Sequence, residues 1–376
     1  MKEPFEAALK LHRHIASKHW DGQALLGPDP GVRFNYRIFR FLKSYLRHIA
    51  WNDEMYYLQA QSYWSIGNWA LFNLTGEDQY RQIAIRCSDY VLERQHHDGA
   101  WDYPNPEWKG RVATVEGTWS ALGLLETYRH TGRSTFLDGA LHWHKYMVDV
   151  VGFQKIKDEL AVNYFANRGD TRVTNNSTTI LSFLAELAGA TGDETCLEPR
   201  TGLINFIQQV QMPSGELPYA VGGKSEPDYF RPHFQCYQYN AFECLSLLKY
   251  YELTHDEAIL PTITTLLNYL SGGIADDGHA YYNCGKPTRA VTYHAAALAA
   301  TFSKAKQLGF DSYDEQTERA YKYVLSRQNN DGSFIHSRRD YGILSDRRSY
   351  PRYLSMIMYH LLLPMLESDE TSIAGK

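Results

Sequence analysis

The stretch Arg94–Trp101, RQHHDGAW, recurs near the other end of the chain as Arg327–Phe334, RQNNDGSF. Both copies consist of Arg-Gln, two polar residues, Asp-Gly, a small residue and an aromatic residue, and both follow a segment containing Tyr-Val-Leu. A motif that recurs at a distance marks a repeated structural unit. We expect the motif to be a joint between helices, in which glycine permits the turn, aspartate caps exposed amides and the aromatic ring packs between neighbouring units.

Partial versions of this loop occur between the two good copies. Gly215 lies in QMPSGELPY and Gly278 in GGIADDGHAYY, and the interval from Gly99 to Gly215 is about twice each of the two later intervals. An interval of double length indicates that one copy has lost its pattern. We therefore expect a degenerate copy near GFQKIKDELAVNYFANRGD, residues 152–170.

Apolar residues between these loops recur at three and four residue spacings, which predicts helices and few strands. Five segments end in similar turns, LTGEDQY, HTGRSTF, ATGDETC, LTHDEAI and LGFDSYD. In most of them a glycine follows the last helical turn and an acidic or hydroxyl residue precedes the next helix, as expected for a C-cap and an N-cap. The pattern predicts a helix-turn-helix hairpin copied five times, with further helices at both ends of the chain.

A helical hairpin of this kind cannot bury its apolar face alone, so successive copies must pack side by side. We predict an all-α protein with about twelve helices, arranged as a six-hairpin α/α toroid in a single domain over residues 1–376. Residues 1–50 are expected to form an N-terminal helical strap, or a lid that uses Asp29 and Arg33. The inner helices are predicted to begin near the following residues: Glu54, Thr114, Asn175, Gln238, Tyr293 and Pro351.

The motif of Gln, Asp-Gly and an aromatic residue after a helix with Tyr-Val-Leu resembles the repeat of squalene cyclases and protein prenyltransferases. The same toroid is the catalytic fold of glycan-active enzymes, among them unsaturated glucuronyl hydrolases, glucuronyl C5-epimerases and polysaccharide lyases. The resemblance covers most of the chain as architecture and leaves the function open. The chain has no DDxxD, DxDD or Asp-x-Cys motif, which disfavours terpene or prenyl-transfer chemistry.

Composition excludes several classes of function. A net charge of -5 over 376 residues gives no basic surface for nucleic acid, and no run of apolar residues is long enough to span a membrane. We expect a cytoplasmic protein. The five cysteines are widely spaced, so we expect reduced thiols, no metal site and no cofactor. The chain has 28 tyrosines and 16 phenylalanines, which favours a hydrogen-bonding cavity over an apolar one.

Polar and aromatic residues cluster where the inner helices are predicted to begin, which indicates a shared water-filled funnel. Hydrolysis of a glycoside needs two carboxyl groups, whereas elimination or epimerisation needs a Tyr or His base and a cation beside a uronate carboxylate. The candidate catalytic residues are Asp53, Glu116, Tyr293 and His294. The candidate substrate-binding residues are Tyr57, Asp98, Trp101, Asn175, Asn176, Gln238, Arg289, Arg352 and Tyr353.

These patterns favour an enzyme that acts on an oligosaccharide or polysaccharide, uronate-containing or otherwise acidic, by hydrolysis, elimination or epimerisation. One alternative is a terpene-cyclase-like or prenyltransferase-like enzyme without the standard motifs, which predicts a funnel lined with Phe and Trp. Another is a non-catalytic toroid that binds a glycan or a protein, which predicts that the candidate acids and bases do not meet. Structural alternatives also exist for single residues, such as an N-cap role for Asp53. The oligomeric state is left open.

Overall fold

The computed structural model describes residues 2–32, 38–46, 49, 51, 53–167, 169, 171–222, 235–284, 289–340 and 344–366. Helices dominate, and in sequence order they alternate between an inner and an outer ring. The inner helices are α3 (Leu58–Thr75), α5 (Thr114–Thr131), α7 (Thr174–Thr191), α9 (Cys236–Thr254), α11 (Thr292–Gln307) and α13 (Pro351–Leu362). The outer helices are α1 (Lys2–Lys18), α4 (Asp78–Glu93), α6 (Ser134–Tyr146), α8 (Arg200–Val210), α10 (Leu260–Ser271) and α12 (Asp314–Leu325).

The inner helices form a closed ring, because each packs on the next in sequence and α13 packs back on α3. The outer helices lie against this ring. The predicted six-hairpin α/α toroid is therefore confirmed. Among the described residues one more α-helix, α2 (Ile38–Tyr45), lies outside the two rings. None of the helices in the described ranges has the length and apolar character needed to cross a bilayer.

The two rings differ in sequence because they differ in surroundings. Inner helices are covered on all sides, and α11 buries every residue from Thr292 to Phe302. Five of these eleven residues are alanines, since neighbouring helices leave little room for larger side chains. Outer helices are amphipathic: α12 buries Ala320, Tyr323 and Val324 and exposes a charged face.

One end of the toroid carries the short turns from inner to outer helices. Gly76, Gly132 and Gly192 take positive φ values of 71°, 66° and 72° and donate their N–H groups to the carbonyl four residues back. His255 occupies the same position after α9 with a φ of 51°. These left-handed C-caps confirm the hairpin turns predicted from the sequence.

The opposite end carries the recurring Asp-Gly loops, and their glutamines tie neighbouring outer helices together. Gln95 Nε2 donates to the carbonyl of Gly99 at 2.9 Å and to that of Gly139 in α6 at 2.8 Å. Equivalent pairs of bonds run from Gln211 to Gly215 and Thr262, and from Gln328 to Gly332 and Ala7. These bonds join α4 to α6, α8 to α10 and α12 to α1, and the last of them closes the ring of outer helices through α1.

The glycines of these loops are required by close backbone contact. A Cβ on Gly99, whose φ is +95°, would lie 2.2 Å from the carbonyl oxygen of His142. The same approach to the next outer helix recurs at Gly215, Gly278 and Gly332, which would meet the carbonyls of Thr265, Arg319 and Lys10 at 2.3, 2.1 and 2.3 Å. Four equivalent contacts of this kind explain why the sequence repeats there.

The degenerate copy is replaced by a β-hairpin, β1 (Gln154–Ile156) and β2 (Glu159–Ala161), and β2 packs on α8. Two further small antiparallel sheets lie in the loops at this end. One pairs β3 (Thr171–Val173) with β4 (Ala220–Gly222). The other contains β5 (Ala290–Val291), β6 (Ser337–Asp340) and β7 (Leu344–Asp346).

The N-terminal segment expected as a strap or lid has two parts in the described residues. Helix α1 packs on α13 and α12, so residues 2–18 form the sixth outer helix. After α1 the chain reaches the loop end of the toroid, where Asp29 is 1% exposed. Arg33, the other predicted lid residue, lies outside the described residues.

Candidate active site

A cavity of about 300 Å³ opens among the first turns of the inner helices. Nine of the thirteen candidate residues line it. They are Tyr57, Glu116, Asn175, Gln238, Arg289, Tyr293, His294, Arg352 and Tyr353. The other described lining residues include Pro30, Gly31, Gln59, Asn105, Trp119, Gln235, Phe242 and His336. Residues far apart in sequence meet here because all inner helices begin at the same end of the ring.

The cavity wall is rich in tyrosine. Of the described lining residues, eight are tyrosines: Tyr57, Tyr103, Tyr164, Tyr219, Tyr239, Tyr282, Tyr293 and Tyr353. Among the same described lining residues, the aromatic residues that are neither tyrosine nor histidine are Phe242 and Trp119. Such a wall offers flat ring faces together with hydroxyl groups, which suits a sugar and not a terpene.

Glu116 is a buried carboxyl group in the first turn of α5, with 2% of its surface exposed. Its Oε2 accepts a hydrogen bond from the backbone N–H of Gln59 at 2.9 Å, so it caps the neighbouring helix α3. Burial raises the pKa of Glu116, and the charge of Arg352 opposes this only in part, which leaves a pKa of about 7. The group is therefore both protonated and ionised near neutral pH.

Arg352 is held by an ion pair at the cavity wall. Its Nε lies 2.7 Å from Oδ2 of Asp29, and one terminal nitrogen donates to Oδ1 at 2.9 Å. The same nitrogen donates to the hydroxyl of Tyr353 at 2.8 Å, and the guanidinium lies over the ring of Tyr57 at 4.4 Å. The carboxylate of Asp29 thus offsets much of the positive charge of Arg352, which was predicted from the sequence to bind an anionic group of the substrate.

His294 is the second residue after the start of α11 and is 1% exposed. Burial, reinforced by the charge of Arg289, lowers its pKa well below the usual histidine value, so the ring is neutral. Its Nδ1 has no hydrogen-bond partner among the described residues. A neutral imidazole with an unused nitrogen is able to accept a proton.

Tyr293 lies beside His294, with ring centroids 4.5 Å apart, and stacks on Tyr353 at 4.2 Å. Burial raises the pKa of Tyr293 well above its usual value. It is therefore a hydroxyl group and not a phenolate base at neutral pH. His336, from the loop after α12, lies 6.3 Å from the Tyr293 ring and joins the same cluster.

Gln238, Asn175 and Arg289 supply further polar groups. Oε1 of Gln238 is buried without a hydrogen-bond partner in the described ranges. The guanidinium of Arg289 lies over the ring of Tyr282 at 4.9 Å. Asn175 lines the cavity from the first turn of α7.

Four predicted site residues lie outside the cavity lining. Asp53 bonds to Lys43 at 2.7 and 2.8 Å and to Arg348, and these two cations lower the pKa of Asp53 although burial opposes them. Asn176 faces away from the lining and donates to the carbonyl of Asn163 at 2.8 Å. These two residues have structural bonds in place of a contact with the cavity.

Asp98 and Trp101 belong to the joint between α4 and α5. Asp98 accepts from the N–H of Ala100 at 3.1 Å, and the indole N–H of Trp101 donates to the carbonyl of Val91 at 2.9 Å. The ring of Trp101 packs 6.0 Å from that of Trp143 in α6. The motif that reveals the fold therefore lies apart from the cavity.

Sequence reasoning missed three residues that shape the site. Asp29 was considered for a lid but not as the partner of Arg352, because their separation in sequence hides the ion pair. Tyr239 follows Gln238 directly, and the position at the start of an inner helix could have identified it. His336 comes soon after the Asp-Gly loop in SFIHS, in the same outer-to-inner connection as the other lining loops.

No protein-family model and no curated protein sequence matches this chain. Solved structures do match it over nearly its full length. D-mannose isomerase is similar with a TM-score of 0.74 at 14% identity, with 97% of this chain and 98% of that chain covered. Cellobiose 2-epimerase from Bacillus thermoamylovorans B4167 is similar with a TM-score of 0.73 at 14% identity, with 95% and 97% covered.

A glycoside hydrolase is also among the similar structures. The α-1,6-mannanase GH76A of Salegentibacter sp. HEL1_6 has a TM-score of 0.67 at 12% identity, with 97% of this chain and 100% of that chain covered. The resemblance to glycan-active toroid enzymes, stated from the predicted toroid, is thereby confirmed. Identities this low establish a shared fold and leave the reaction to the residues of the cavity.

Proposed function

We propose that the protein is a carbohydrate-active enzyme that moves a proton at a carbon next to a sugar carbonyl, as an epimerase or an aldose-ketose isomerase. The observation that carries this proposal is the composition of the cavity. Its described lining contains one carboxyl group, Glu116, together with the imidazoles of His294 and His336. Proton transfer at carbon needs a base and an acid; His294 offers a neutral imidazole with an unused nitrogen, and Glu116 has a pKa of about 7.

Hydrolysis fits this cavity less well. Glycosidases of the usual kind place two carboxyl groups on opposite sides of the scissile bond. Of the other candidates, Asp53 is bonded to Lys43 and Arg348, and Asp29 is bonded to Arg352. Neither of these carboxylates is among the residues that line the cavity with Glu116.

The proposed reaction assigns a role to each group. His294 accepts the proton from the carbon next to the carbonyl, and the electron pair of the broken C–H bond moves to the carbonyl oxygen. Glu116 protonates that oxygen, which yields an enediol. Return of a proton to the same carbon from the other face, while the proton on the former carbonyl oxygen goes back to Glu116, gives an epimer. Return of a proton to the former carbonyl carbon, with loss of the hydroxyl proton on the neighbouring carbon, gives the isomer. The Arg352 guanidinium and the Tyr353 hydroxyl stabilise negative charge on oxygen.

Two further facts support a small sugar as the substrate. A cavity of about 300 Å³ is at the lower end of the range for small-molecule sites, which suits a monosaccharide or disaccharide. Two similar structures, a D-mannose isomerase and a cellobiose 2-epimerase, bear names of such reactions.

The decisive experiment is incubation of the purified protein in D2O with a panel of neutral monosaccharides and disaccharides, followed by NMR. We expect an epimer or ketose that carries deuterium at the carbon next to the carbonyl. New reducing ends without deuterium at that carbon would contradict the proposal and favour hydrolysis. Binding without any conversion would favour a glycan-binding toroid.

A second candidate function is elimination or epimerisation on a uronate-containing glycan. The observation in its favour is Arg289, which lies in the cavity wall close enough to His294 to lower the pKa of that histidine. The same panel should therefore include uronate oligosaccharides and monitor unsaturated products. If only uronates react and Arg289→Gln raises KM for them, the acidic-glycan hypothesis replaces the neutral one.

A further inference from the structure

Two cysteines from separate segments of the chain meet beside the cavity. Cys236 is the first residue of α9, and Cys284 lies in the connection after α10; their Sγ atoms are 2.6 Å apart. A disulfide bond measures about 2.0 Å, so the sulphurs need to move only a fraction of an ångström to bond. We propose that Cys236 and Cys284 are a modification site, at which a low-molecular-weight disulfide closes a cross-link between the two segments.

The backbone holds the two thiols in place before any bond forms. Gln235 and Cys284 adopt left-handed conformations with φ values of 46° and 39°, which residues other than glycine rarely take. The N–H of Gln235 donates to Oδ1 of Asn283 at 2.7 Å, and its side-chain amide donates to the hydroxyl of Tyr282 at 2.9 Å. Such conformations persist only where the surroundings enforce them, and they concentrate at functional positions.

A metal site is the competing interpretation of the same cluster. The carboxylate of Glu216 lies 3.9 Å from Sγ of Cys284, and ligand atoms of Glu216, Cys236 and Cys284 all lie within 4.8 Å of one another. Two thiolates on a tetrahedral zinc ion, each at about 2.3 Å, are separated by roughly 3.8 Å. The observed separation of 2.6 Å is closer to a disulfide than to that arrangement.

Exposure of the two thiols differs and sets the order of steps. Cys284 is exposed, whereas Cys236 is 2% exposed. The Cys284 thiolate attacks one sulphur of an oxidant RSSR, forms a mixed disulfide and releases one RS⁻. The Cys236 thiolate then attacks Sγ of Cys284 and releases the second RS⁻. The protein loses two electrons and two protons, and the oxidant becomes two thiols.

The cross-link would act on the cavity rim. Gln235, Gln238 and Tyr282 line the cavity, and they flank the two cysteines in sequence. Joining the cysteines fixes the first turn of α9 to the loop that carries Tyr282. This consequence for catalysis rests on the proposed function, whereas the cross-link itself does not.

The test is incubation of the folded protein with oxidised glutathione, alkylation of remaining thiols, and tryptic mass spectrometry. We expect a peptide pair joined through Cys236 and Cys284, while Cys87, Cys196 and Cys244 are alkylated only after unfolding because they are buried. Cys244 shares a tryptic peptide with Cys236, so Cys244→Ser is the matched control and should cross-link as the natural chain does. Cys236→Ser and Cys284→Ser should not cross-link.

Three results would overturn the proposal. These are a glutathione adduct on Cys284 that never resolves into a cross-link, absence of any reaction, and about one equivalent of zinc that is retained on purification and lost in Cys284→Ser. The functional consequence is tested separately with any sugar that the protein converts. We expect oxidation to change KM by at least about twofold in the natural chain and not in Cys236→Ser. A cross-link without that change would contradict the effect on the rim and leave the proposed reaction intact.

Discussion

The two ends of the toroid each contain a cavity, and the larger one is not the better candidate for catalysis. The cavity at the end with the short turns measures about 600 Å³, against about 300 Å³ at the loop end. Its wall includes Tyr63, Tyr359 and His360, and Trp119 and Phe242 line both cavities. The rings of Trp119 and Phe242 therefore lie between the two spaces.

The charges at the larger cavity neutralise one another. Arg129 bonds to Glu126 at 3.0 Å and to Glu186 at 2.8 Å, and Glu252 bonds to Lys304 at 2.6 Å and to Lys249 at 3.3 Å. At the loop end, by contrast, Glu116 titrates near pH 7 and His294 is a neutral ring with an unused nitrogen. Cavity volume thus says less about chemistry than the protonation and bonding of the groups in the wall.

The helix direction adds to this difference. All inner helices begin at the loop end, so their N-terminal N–H groups and the positive ends of their dipoles face the smaller cavity. Negative charge that develops on a substrate oxygen is stabilised there and disfavoured at the other end. The comparison predicts that substitutions at the loop end change activity, whereas those at the other end change stability alone.

The largest expected effect is on catalysis. His294→Ala should lower kcat by about 10²- to 10⁴-fold, because a general base is lost. His360→Leu removes a histidine of the larger cavity whose two ring nitrogens lack partners among the described residues, and it should leave kcat unchanged. Initial rates and circular dichroism of both variants check the comparison. If both variants fold and lose activity equally, the conclusion that only the smaller cavity takes part in catalysis is wrong.

The next effect is on stability and compares two buried ion pairs. Asp29→Asn leaves the charge of Arg352 uncompensated and should lower the free energy of unfolding by about 3–5 kcal/mol. Glu252→Gln is the matched change at the other end, where Lys304 loses its carboxylate. Urea titrations should show destabilisation in both, with activity lost only in Asp29→Asn. If Glu252→Gln abolishes activity in the folded protein, the larger cavity takes part in the reaction.

Two carboxyl groups should give pH dependences of opposite sign. Glu116 has a raised pKa, so the folded protein keeps a proton that the unfolded chain releases, and stability falls as pH rises from about 4.5 to about 7. A shift of that size corresponds to about 3 kcal/mol, and Glu116→Gln should remove the fall. Unfolding titrations of both proteins, at intervals of about one pH unit from about pH 4 to about pH 8, measure this fall in stability.

Glu126 is the control at the other end. Burial alone would raise its pKa, but the hydrogen bond from His130 and the charge of Arg129 outweigh burial and lower the pKa to about 2. Its contribution to stability is therefore present above its unfolded pKa and lost as pH falls toward 2. Glu126→Gln should therefore lower stability at neutral pH and flatten the fall below about pH 4.5, and it should leave the slope between about pH 4.5 and about pH 7 unchanged. Loss of that slope in both variants would contradict the assignment.

The smallest difference concerns two glycines with positive φ. Gly132→Ala has nothing within 4 Å of the added methyl group and should cost about 1–2 kcal/mol from its left-handed backbone alone. Gly99→Ala adds a clash with the carbonyl of His142 and should cost about 1–3 kcal/mol more. Thermal unfolding of both variants measures the difference. Equal destabilisation of the two variants would show that the backbone at the loop end relaxes easily around the added methyl group.

Much of the fold could be predicted from local sequence patterns. The turns at Gly76, Gly132 and Gly192 and the predicted inner starts near Thr114, Asn175 and Pro351 agree with the structure to within a residue. Helix caps and periodicity act between residues a few positions apart, which is why a sequence displays them. The first inner helix differs most: it begins at Leu58 and not near Glu54, and Glu116 of a neighbouring helix caps it there.

Individual site residues were harder to predict, because their roles depend on partners far away in sequence. Asp53 is a residue type expected of a catalytic acid in the funnel, but it bonds to Lys43 and Arg348. Arg352 is a residue type expected to bind an anionic substrate group, yet Asp29 offsets its charge. The thiols expected from their wide spacing to be reduced include a pair in contact, Cys236 and Cys284.

The sequence by itself determined the repeated hairpin, the ring that hairpins must form, and the end of the ring where polar side chains collect. These follow from burial of apolar faces and from turn chemistry, both of which are local and periodic. Only the tertiary structure decided which acid has a pKa near neutral pH, which cation is paired and which cysteines meet. Those properties depend on burial and on charges a few ångströms away, and such neighbours come from any part of the chain.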